Sequence, residues 1–205
     1  MADGTGQTRT GGGAALRLFA ALEVPAGMQR TLADLAEGAS DSTDDARALA
    51  AEQLHVTFAF LGNVSEDYVP AVASALETAA ASVPGAIACT LGEPALLGGG
   101  RALALDVTLD LHAVADAARD AFVDAVRTYA PGLDDRAWRT HLTVARTRTR
   151  PSERTLEVLE RGLVERTFVS PELRLYASLP GPTSRIHKVL HAVPFGAPAL
   201  TPRGA

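Results

Sequence analysis

Apolar residues occur in short blocks along the first half of the chain, and these blocks predict strands and helices in turn. Leu16–Leu22 is apolar enough for a buried strand, and Gln53–Leu61 is rich in β-branched and aromatic residues, which strands favour. A helix is predicted to begin at Pro25, because the apolar residues after it recur at helical spacing. Gly38–Asp45 has the composition of a loop, and Ser65 is placed to cap a second helix.

The second half shows the same mixture. A long helix with an apolar stripe is predicted after Asp110, which we expect to cap it, and a shorter helix is predicted from Pro151 to about Leu163. The predicted strands are Ala86–Leu97 (one strand or two), Arg101–Val107, His141–Ala145, Phe168–Ala177 and Ile186–Val193.

This order of elements predicts an α+β fold in one domain over residues 15–196. Residues 1–14 are Gly/Thr-rich and residues 197–205 are Pro/Ala-rich, so we interpret both as flexible tails. The glycine-rich loops GxGxxG and GxxxxGK[ST] do not occur in the sequence. Nucleotide binding through a Rossmann or P-loop site is therefore not expected.

One short motif occurs twice, as His55-Val56-Thr57 and as His141-Leu142-Thr143, each within an apolar strand. The distance along the chain between the two copies of the motif suggests two similar lobes. Alternate side chains of a strand point to opposite faces, so each histidine shares one face with its threonine while the apolar residues share the other. Two such strands facing each other would bring two imidazoles and two hydroxyls into one cleft.

That set of groups suits acid–base chemistry on a phosphodiester. Histidine titrates near neutral pH, so one imidazole can accept a proton from water while the other donates a proton to the leaving alkoxide. The hydroxyls of Thr57 and Thr143 can bind the non-bridging phosphate oxygens and orient them. This chemistry requires neither a metal nor another cofactor.

Composition and charge narrow the class of protein. The net charge of −5 argues against non-specific duplex binding, although six arginines between Arg136 and Arg154 form a local basic cluster. The single cysteine, Cys89, excludes an internal disulfide. Neither a membrane span nor a secretory signal is evident in the sequence. We expect a cytoplasmic monomer without membrane attachment, and nothing implies a protein partner.

The chain resembles the 2H phosphoesterases, which are defined by paired His-x-Thr-x motifs. It looks most like the bacterial RNA 2′,3′-cyclic phosphodiesterases, also called the 2′-5′ RNA ligase family. The resemblance covers residues 16 to about 195, and its marks are RLFAAL, QLHVTFAFLGNV, THLTVAR and LPGPTSRIHKVLHAVPF.

The resemblance implies two pseudo-symmetric lobes of antiparallel sheet and helices around a central cleft. It implies hydrolysis of an RNA-terminal 2′,3′-cyclic phosphate to a 2′-phosphomonoester, with weak reverse 2′-5′ ligation as a further activity. His55 corresponds to the proton donor and His141 to the proton acceptor, whereas the motifs themselves are too alike to assign these roles. One departure is His187, which stands where family members often have tyrosine.

Two alternatives remain open at this stage. One is a phosphodiesterase acting on a small cyclic nucleotide or a 2′-5′ oligonucleotide, and the other is a non-catalytic binder of phosphorylated RNA ends. Two titratable imidazoles argue against a pure binder.

Further residues carry separate expectations. The resemblance gives Arg146 a phosphate-binding role, but its position has the wrong parity for the cleft face unless a bulge turns it inward. Trp138 is interpreted as packing, with base stacking as the alternative. His187 and His191 are expected to share one face of a strand.

Overall fold

The computed structural model describes residues 13–40, 46–134, 136–182 and 184–196. These residues form four helices and nine strands, and two 3₁₀ turns lie at residues 51–53 and 66–68. The helices are α1 (Ala26–Ser40), α2 (Val69–Ser82), α3 (His112–Val126) and α4 (Glu153–Gly162). The strands are β1 (Ala15–Leu22), β2 (Ala46–Ala48), β3 (Val56–Ser65), β4 (Ile87–Leu97), β5 (Ala102–Leu109), β6 (His141–Thr147), β7 (Thr167–Ser170), β8 (Glu172–Leu179) and β9 (Ile186–Pro194).

The strands form one antiparallel sheet in the order β7-β4-β5-β6-β3-β1-β8-β9, with β2 paired to β6. The two halves of this sheet, which we call the β3 half (β3, β1, β8, β9) and the β6 half (β6, β5, β4, β7), repeat the same order outward from the centre. Among the described residues, β3 and β6 pair at one position, Val56 with Leu142. The centre of the sheet is therefore a narrow junction between two lobes, as the sequence predicts.

The helices cover one face of the sheet, and two of them, α1 and α3, pack against the opposite half. α1 follows β1 in the chain but packs against β6 and α4, whereas α3 follows β5 but packs against β3 and α2. The buried apolar side chains of strands and helices form one large core on this face, including Leu32, Phe58, Leu76, Phe122 and Leu142. The opposite face of the sheet stays open as a cleft.

Several predicted boundaries are wrong. The segment Phe168–Ala177 is two strands rather than one, because Pro171 lies between β7 and β8 and has no N–H to donate to a sheet. The helix α1 continues to Ser40 and occupies the start of the predicted loop, while residues 41–45 lie outside the described residues. The sequence pattern does not predict the strand β2, since three residues are too few to show alternation.

Both predicted helix caps are also wrong. Ser65 makes no capping hydrogen bond; it precedes a 3₁₀ turn, and α2 begins only at Val69, with a proline in its first turn. The carboxylate of Asp110 accepts a hydrogen bond from the backbone N–H of Ala88 at 3.0 Å, so it ties the end of β5 to β4. Leu111 takes the cap position of α3 instead.

Candidate active site

The open face of the sheet forms a cleft of about 780 Å³ that contains both histidine motifs. All five residues that the sequence singles out for chemistry line this cleft: His55, Thr57, His141, Thr143 and Arg146. The apolar residues between them, Val56 and Leu142, are fully buried on the helix side. The period-two interpretation of each motif is therefore confirmed.

The register of the central junction places the two motifs side by side in opposite directions. Because Val56 pairs with Leu142 in an antiparallel bridge, His55 comes level with Thr143, and His141 comes level with Thr57. The two histidines are then diagonal neighbours, for which the spacing across an antiparallel pair is roughly 7–8 Å. A single phosphate group is small enough to contact both imidazoles and both hydroxyls in this arrangement.

Each imidazole is held by the carbonyl two residues before it. The Nδ1 of His55 lies 2.7 Å from the oxygen of Gln53, and the Nδ1 of His141 lies 2.8 Å from the oxygen of Arg139. A carbonyl oxygen can only accept, so Nδ1 carries a hydrogen in both rings. Each neutral imidazole therefore has its free lone pair on Nε2, the atom available for proton transfer.

A β-bulge follows each motif at the same place. Consecutive residues Ala20 and Ala21 of β1 pair with Ala59 and Thr57, so Phe58 is the extra residue in β3. In the β6 half, Leu103 and Ala104 pair with Ala145 and Thr143, so the residue after Thr143 is extra. Each bulge reverses the alternation of side chains after it.

The second bulge explains why the Arg146 side chain faces the cleft. The extra residue in β6 turns the Arg146 side chain to the cleft face, which it would not reach on a regular strand. The corresponding residue of the β3 half is Phe60, whose ring lies under the guanidinium of Arg17 at 4.7 Å. The two halves thus differ at this position, with a cation on one side and an aromatic ring on the other.

Two side chains that the sequence did not reveal as functional support the first motif. Arg119, on α3, is buried and donates from Nε to the carbonyl oxygen of Phe58 at 3.0 Å. Trp138 donates its indole N–H to the carbonyl oxygen of Thr57 at 2.8 Å, so it positions this strand as well as packing against Phe58. Arg119 falls at helical spacing between Ala115 and Phe122, and an arginine on an apolar face is the signal that could have identified it.

The strand of the second motif is held by a hydrogen bond from a backbone N–H group rather than from a side chain. The carbonyl oxygen of Val144, the extra residue of the β6 bulge, accepts a hydrogen bond from the backbone N–H of Leu49 at 2.8 Å. Leu49 directly follows β2, whose residues Arg47 and Ala48 pair with Arg146 and Ala145. The short strand β2 therefore satisfies the bulge that carries Arg146.

His55 lies in an environment that disfavours its charged form. Its ring contacts Phe19 at a centroid distance of 4.7 Å and His187 at 5.3 Å. Burial, followed by the positive charge of His187, lowers the pKa of His55 to about 4, and Arg146 acts in the same direction. His55 is therefore neutral in the empty cleft at neutral pH.

The predicted common face of His187 and His191 is wrong. The pairing of β8 with β9 shifts register between Leu175 and Tyr176, so β9 carries a bulge. His187 lines the cleft, whereas His191 points to the helix side and lies 2.8 Å from the carboxylate of Glu77.

The cleft lining is rich in arginine, and part of that charge is compensated. Arg136 pairs with Asp134 at 2.5 Å, and Arg139 pairs with Asp106 at 2.9 Å. Arg185 donates to the hydroxyl and carbonyl oxygens of Ser178, both at 2.7 Å. Arginines that line the cleft create a positive potential that favours an anionic ligand there.

Within the part of the chain that the structure describes, no three or more His, Cys, Asp or Glu side chains are grouped so as to hold a metal ion. Among the same residues, no helix has the length and apolar character that crossing a bilayer requires.

Comparison with known proteins identifies related sequences and folds. Residues 25–180 match the profile of the 2′-5′ RNA ligase superfamily. No curated protein matches the chain significantly.

Solved structures show the same fold at low identity. The protein TT0787 of Thermus thermophilus is 20% identical over 88% of this chain and 98% of its own, with a TM-score of 0.68. E. coli LigT complexed with NADP+ is 20% identical over 89% of this chain and 99% of its own, with a TM-score of 0.66, and its complex with ATP gives 0.64 at 19% identity over 88% and 98%. The predicted fold class is thereby confirmed.

Proposed function

Since the chain belongs to the 2′-5′ RNA ligase superfamily, whose members are 2H phosphoesterases that act on phosphodiester bonds, we propose that it hydrolyses the 2′,3′-cyclic phosphodiester at an RNA end to a 2′-phosphomonoester. The observation that supports this most directly is the antiparallel placement of two His-x-Thr motifs in one cleft. RNA ends or nucleotide cyclic phosphates are the substrates this proposal implies.

The reaction needs one proton acceptor and one proton donor. In the proposed mechanism, the Nε2 of His141 takes a proton from a water molecule, whose oxygen forms a bond to phosphorus. The bond from phosphorus to the 3′ oxygen breaks, and His55 donates a proton to that oxygen. The products are a 2′-phosphate and a free 3′-hydroxyl, and the mechanism assigns no step to a metal or cofactor.

The remaining cleft groups bind the phosphate. The hydroxyls of Thr57 and Thr143 and the guanidinium of Arg146 contact the non-bridging oxygens, where negative charge grows as water adds. Preorganised donors of this kind each contribute about 10²–10³ in rate. The arginine can bind two oxygens at once, which fixes the orientation of the group.

His55 can act as the proton donor only when its ring is protonated. Its pKa of about 4 means that it holds no proton in the empty cleft at neutral pH, with burial as the largest cause. An anion beside an imidazole favours its charged form. His55 must therefore gain its proton together with the anionic substrate before it can donate.

The proposal is tested by phosphorus NMR of an oligonucleotide that ends in a 2′,3′-cyclic phosphate, with EDTA present. We expect conversion to the 2′-phosphomonoester, and none with the His55→Ala/His141→Ala double variant purified in parallel. Formation of the 3′-phosphomonoester, or activity that requires a divalent ion, would contradict the mechanism.

The same assay separates the alternative substrates. A nucleoside 2′,3′-cyclic phosphate is compared with the cyclic-ended oligonucleotide at equal concentration. A higher kcat/KM for the oligonucleotide supports an RNA end as substrate, whereas a higher value for the nucleotide favours a small-molecule phosphodiesterase. Tight binding of both without turnover would identify a binding protein.

A further inference from the structure

The cleft contains a third imidazole, His187, that neither motif includes. Its ring lies edge-on to His55, with centroids 5.3 Å apart and planes at 72°. Both rings also contact Phe19, at centroid distances of 4.7 Å for His55 and 4.9 Å for His187. The two imidazoles therefore form a pair at the wall of the cleft.

One residue ties both members of the pair in place. The backbone carbonyl of Gln53 accepts from Nδ1 of His55 at 2.7 Å, and the Gln53 side-chain amide donates to the carbonyl of Arg185 at 2.6 Å. Arg185 lies just before β9, and its guanidinium is bound to Ser178, the residue that pairs with His187. The spacing of the pair is therefore fixed by the fold rather than by chance contact of two surface side chains.

The charged groups around the pair are cationic. Arg146 faces it from β6 and Arg185 faces it from the start of β9, and the imidazole of His141 also faces it from β6. From β8, Tyr176 presents a neutral phenol whose pKa is raised by burial. Burial is also the largest cause of the lowered pKa of His187, and Arg185 and Arg146 add to it.

The Nδ1 atom of His187 adds an independent observation. It is buried and has no hydrogen-bond partner among the described residues. A buried ring nitrogen without a hydrogen-bond partner is unfavourable, and surrounding cations disfavour the addition of a proton to the ring. An anion in the cleft would offset those cations.

We propose that His55 and His187 act as a coupled imidazole pair that takes up a proton when a phosphate-like anion enters the cleft, with His187 a positioning residue that sets the protonation of His55. At neutral pH His55 is unprotonated until an anion binds. The arriving anion offsets the positive charge of Arg146 and its neighbours, and a proton from solvent then binds to the pair. The inference rests on the proposed function only in requiring that the cleft binds a phosphate-like anion.

The test uses sulfate, a dianion that does not itself titrate near neutral pH. Histidine ring signals are followed by NMR from pH 3.5 to pH 8 in the whole protein, with and without sulfate. We expect sulfate to raise the titration midpoints of both His55 and His187 by about one pH unit or more.

The variant His187→Gln removes one member of the pair, and His191→Gln is its matched control on the same strand but outside the cleft. We expect His187→Gln to raise the midpoint of His55 in the empty protein by about one unit, since a like charge at about 5 Å is removed. The control leaves that midpoint unchanged. His187→Phe keeps a ring in the same space and provides the same comparison if the glutamine variant does not fold.

A His55 midpoint that is the same in wild type and in both His187 variants would overturn the coupling, as would sulfate binding that moves neither imidazole. Turnover on the same samples separates this inference from the proposed function. Hydrolysis with an unchanged His55 midpoint overturns only the coupling, whereas coupled titration without hydrolysis overturns only the proposed reaction.

Discussion

The two halves of the cleft share a bulge after the histidine motif but support it by different means. In the β3 half, side chains bind the freed carbonyls of the bulge, Arg119 at Phe58 and Trp138 at Thr57. In the β6 half, the backbone N–H of Leu49 binds the equivalent carbonyl of Val144. A backbone donor persists through most substitutions, whereas a side-chain donor does not, so the first motif is the one that distant mutations can displace.

The halves also differ in charge. The β3 half has Phe60 five residues after its histidine, and the β6 half has Arg146 there. His55 is packed against Phe19 and has a lowered pKa. Under the proposed function, Arg146 of the β6 half would bind the phosphate and His55 of the β3 half would supply the proton.

The sharpest test of this division is loss of each histidine. We expect His55→Ala and His141→Ala each to lower kcat by about 10²–10⁴, the usual contribution of general acid–base catalysis. An activated diester, whose leaving alcohol needs no proton, should restore much of the rate of the His55 variant but not of the His141 variant. Rescue of the His141 variant alone would show that the two roles are reversed.

The threonines provide controls for that experiment. Thr57→Val and Thr143→Val keep the shape and the strand preference but delete the hydroxyl. Each should lower kcat less than loss of the histidine on the same strand, and neither should respond to the leaving group.

The difference in charge is tested by Arg146→Gln with Phe60→Leu as its counterpart in the other half. Loss of the guanidinium should lower kcat/KM by about 10², since it removes one charged phosphate donor. The Phe60 variant should stay within a few-fold of wild type, because that side chain offers the phosphate no charge. Equal decreases in kcat/KM for the two variants would show that phosphate binding does not depend on the β6 half more than on the β3 half.

The low pKa of His55 predicts how folding stability depends on pH. An unfolded chain binds a proton at His55 near the ordinary pKa of 6.5, whereas the folded protein binds it only near 4. The free energy of unfolding should therefore be highest above pH 6.5 and should decrease as the pH falls through 4, by about 3 kcal/mol in total from this group.

Denaturant unfolding at pH 7 and pH 4.5 measures the effect. The variant His55→Gln should lose less stability over this interval than the wild type. A loss of the same size in both would place the titrating group elsewhere.

The side-chain support of the first motif is tested by Arg119→Met, with Arg127→Met, directly after the same helix, as a control. Removing the Arg119 guanidinium leaves the carbonyl of Phe58 without a donor, which should lower the free energy of unfolding by about 1–3 kcal/mol. Arg127 is exposed, so its substitution should change stability by about 0.5 kcal/mol or less. Equal melting temperatures for the two variants would contradict the comparison.

The sequence was most informative where a local rule decides the structure. Alternation within a strand was enough to place His55 with Thr57 and His141 with Thr143 on the cleft face. The bulges were not predictable, because they depend on which residues of β1 and β5 pair with the motif strands. From the sequence, Arg146 is therefore expected on the cleft face only if a bulge lies before it.

Other failures have the same origin in long-range pairing. β2 exists because it pairs with β6, and Asp110 binds Ala88 on a neighbouring strand instead of capping its helix. His187 and His191 have the spacing of one strand face, and only the register of β8 against β9 separates them. In contrast, Pro171 was a local signal that could have divided the predicted strand at β7.

The crossing of helices between the two halves determines when the protein can become active during synthesis. α1 is synthesised long before β6, the strand that it covers in the folded protein. The half of the sheet that contains β1 is complete only after β8 and β9 have also been synthesised. An N-terminal fragment that ends between the motifs therefore exposes apolar surface that only later residues can bury. We therefore expect the cleft to be complete only after residue 194 has emerged from the ribosome.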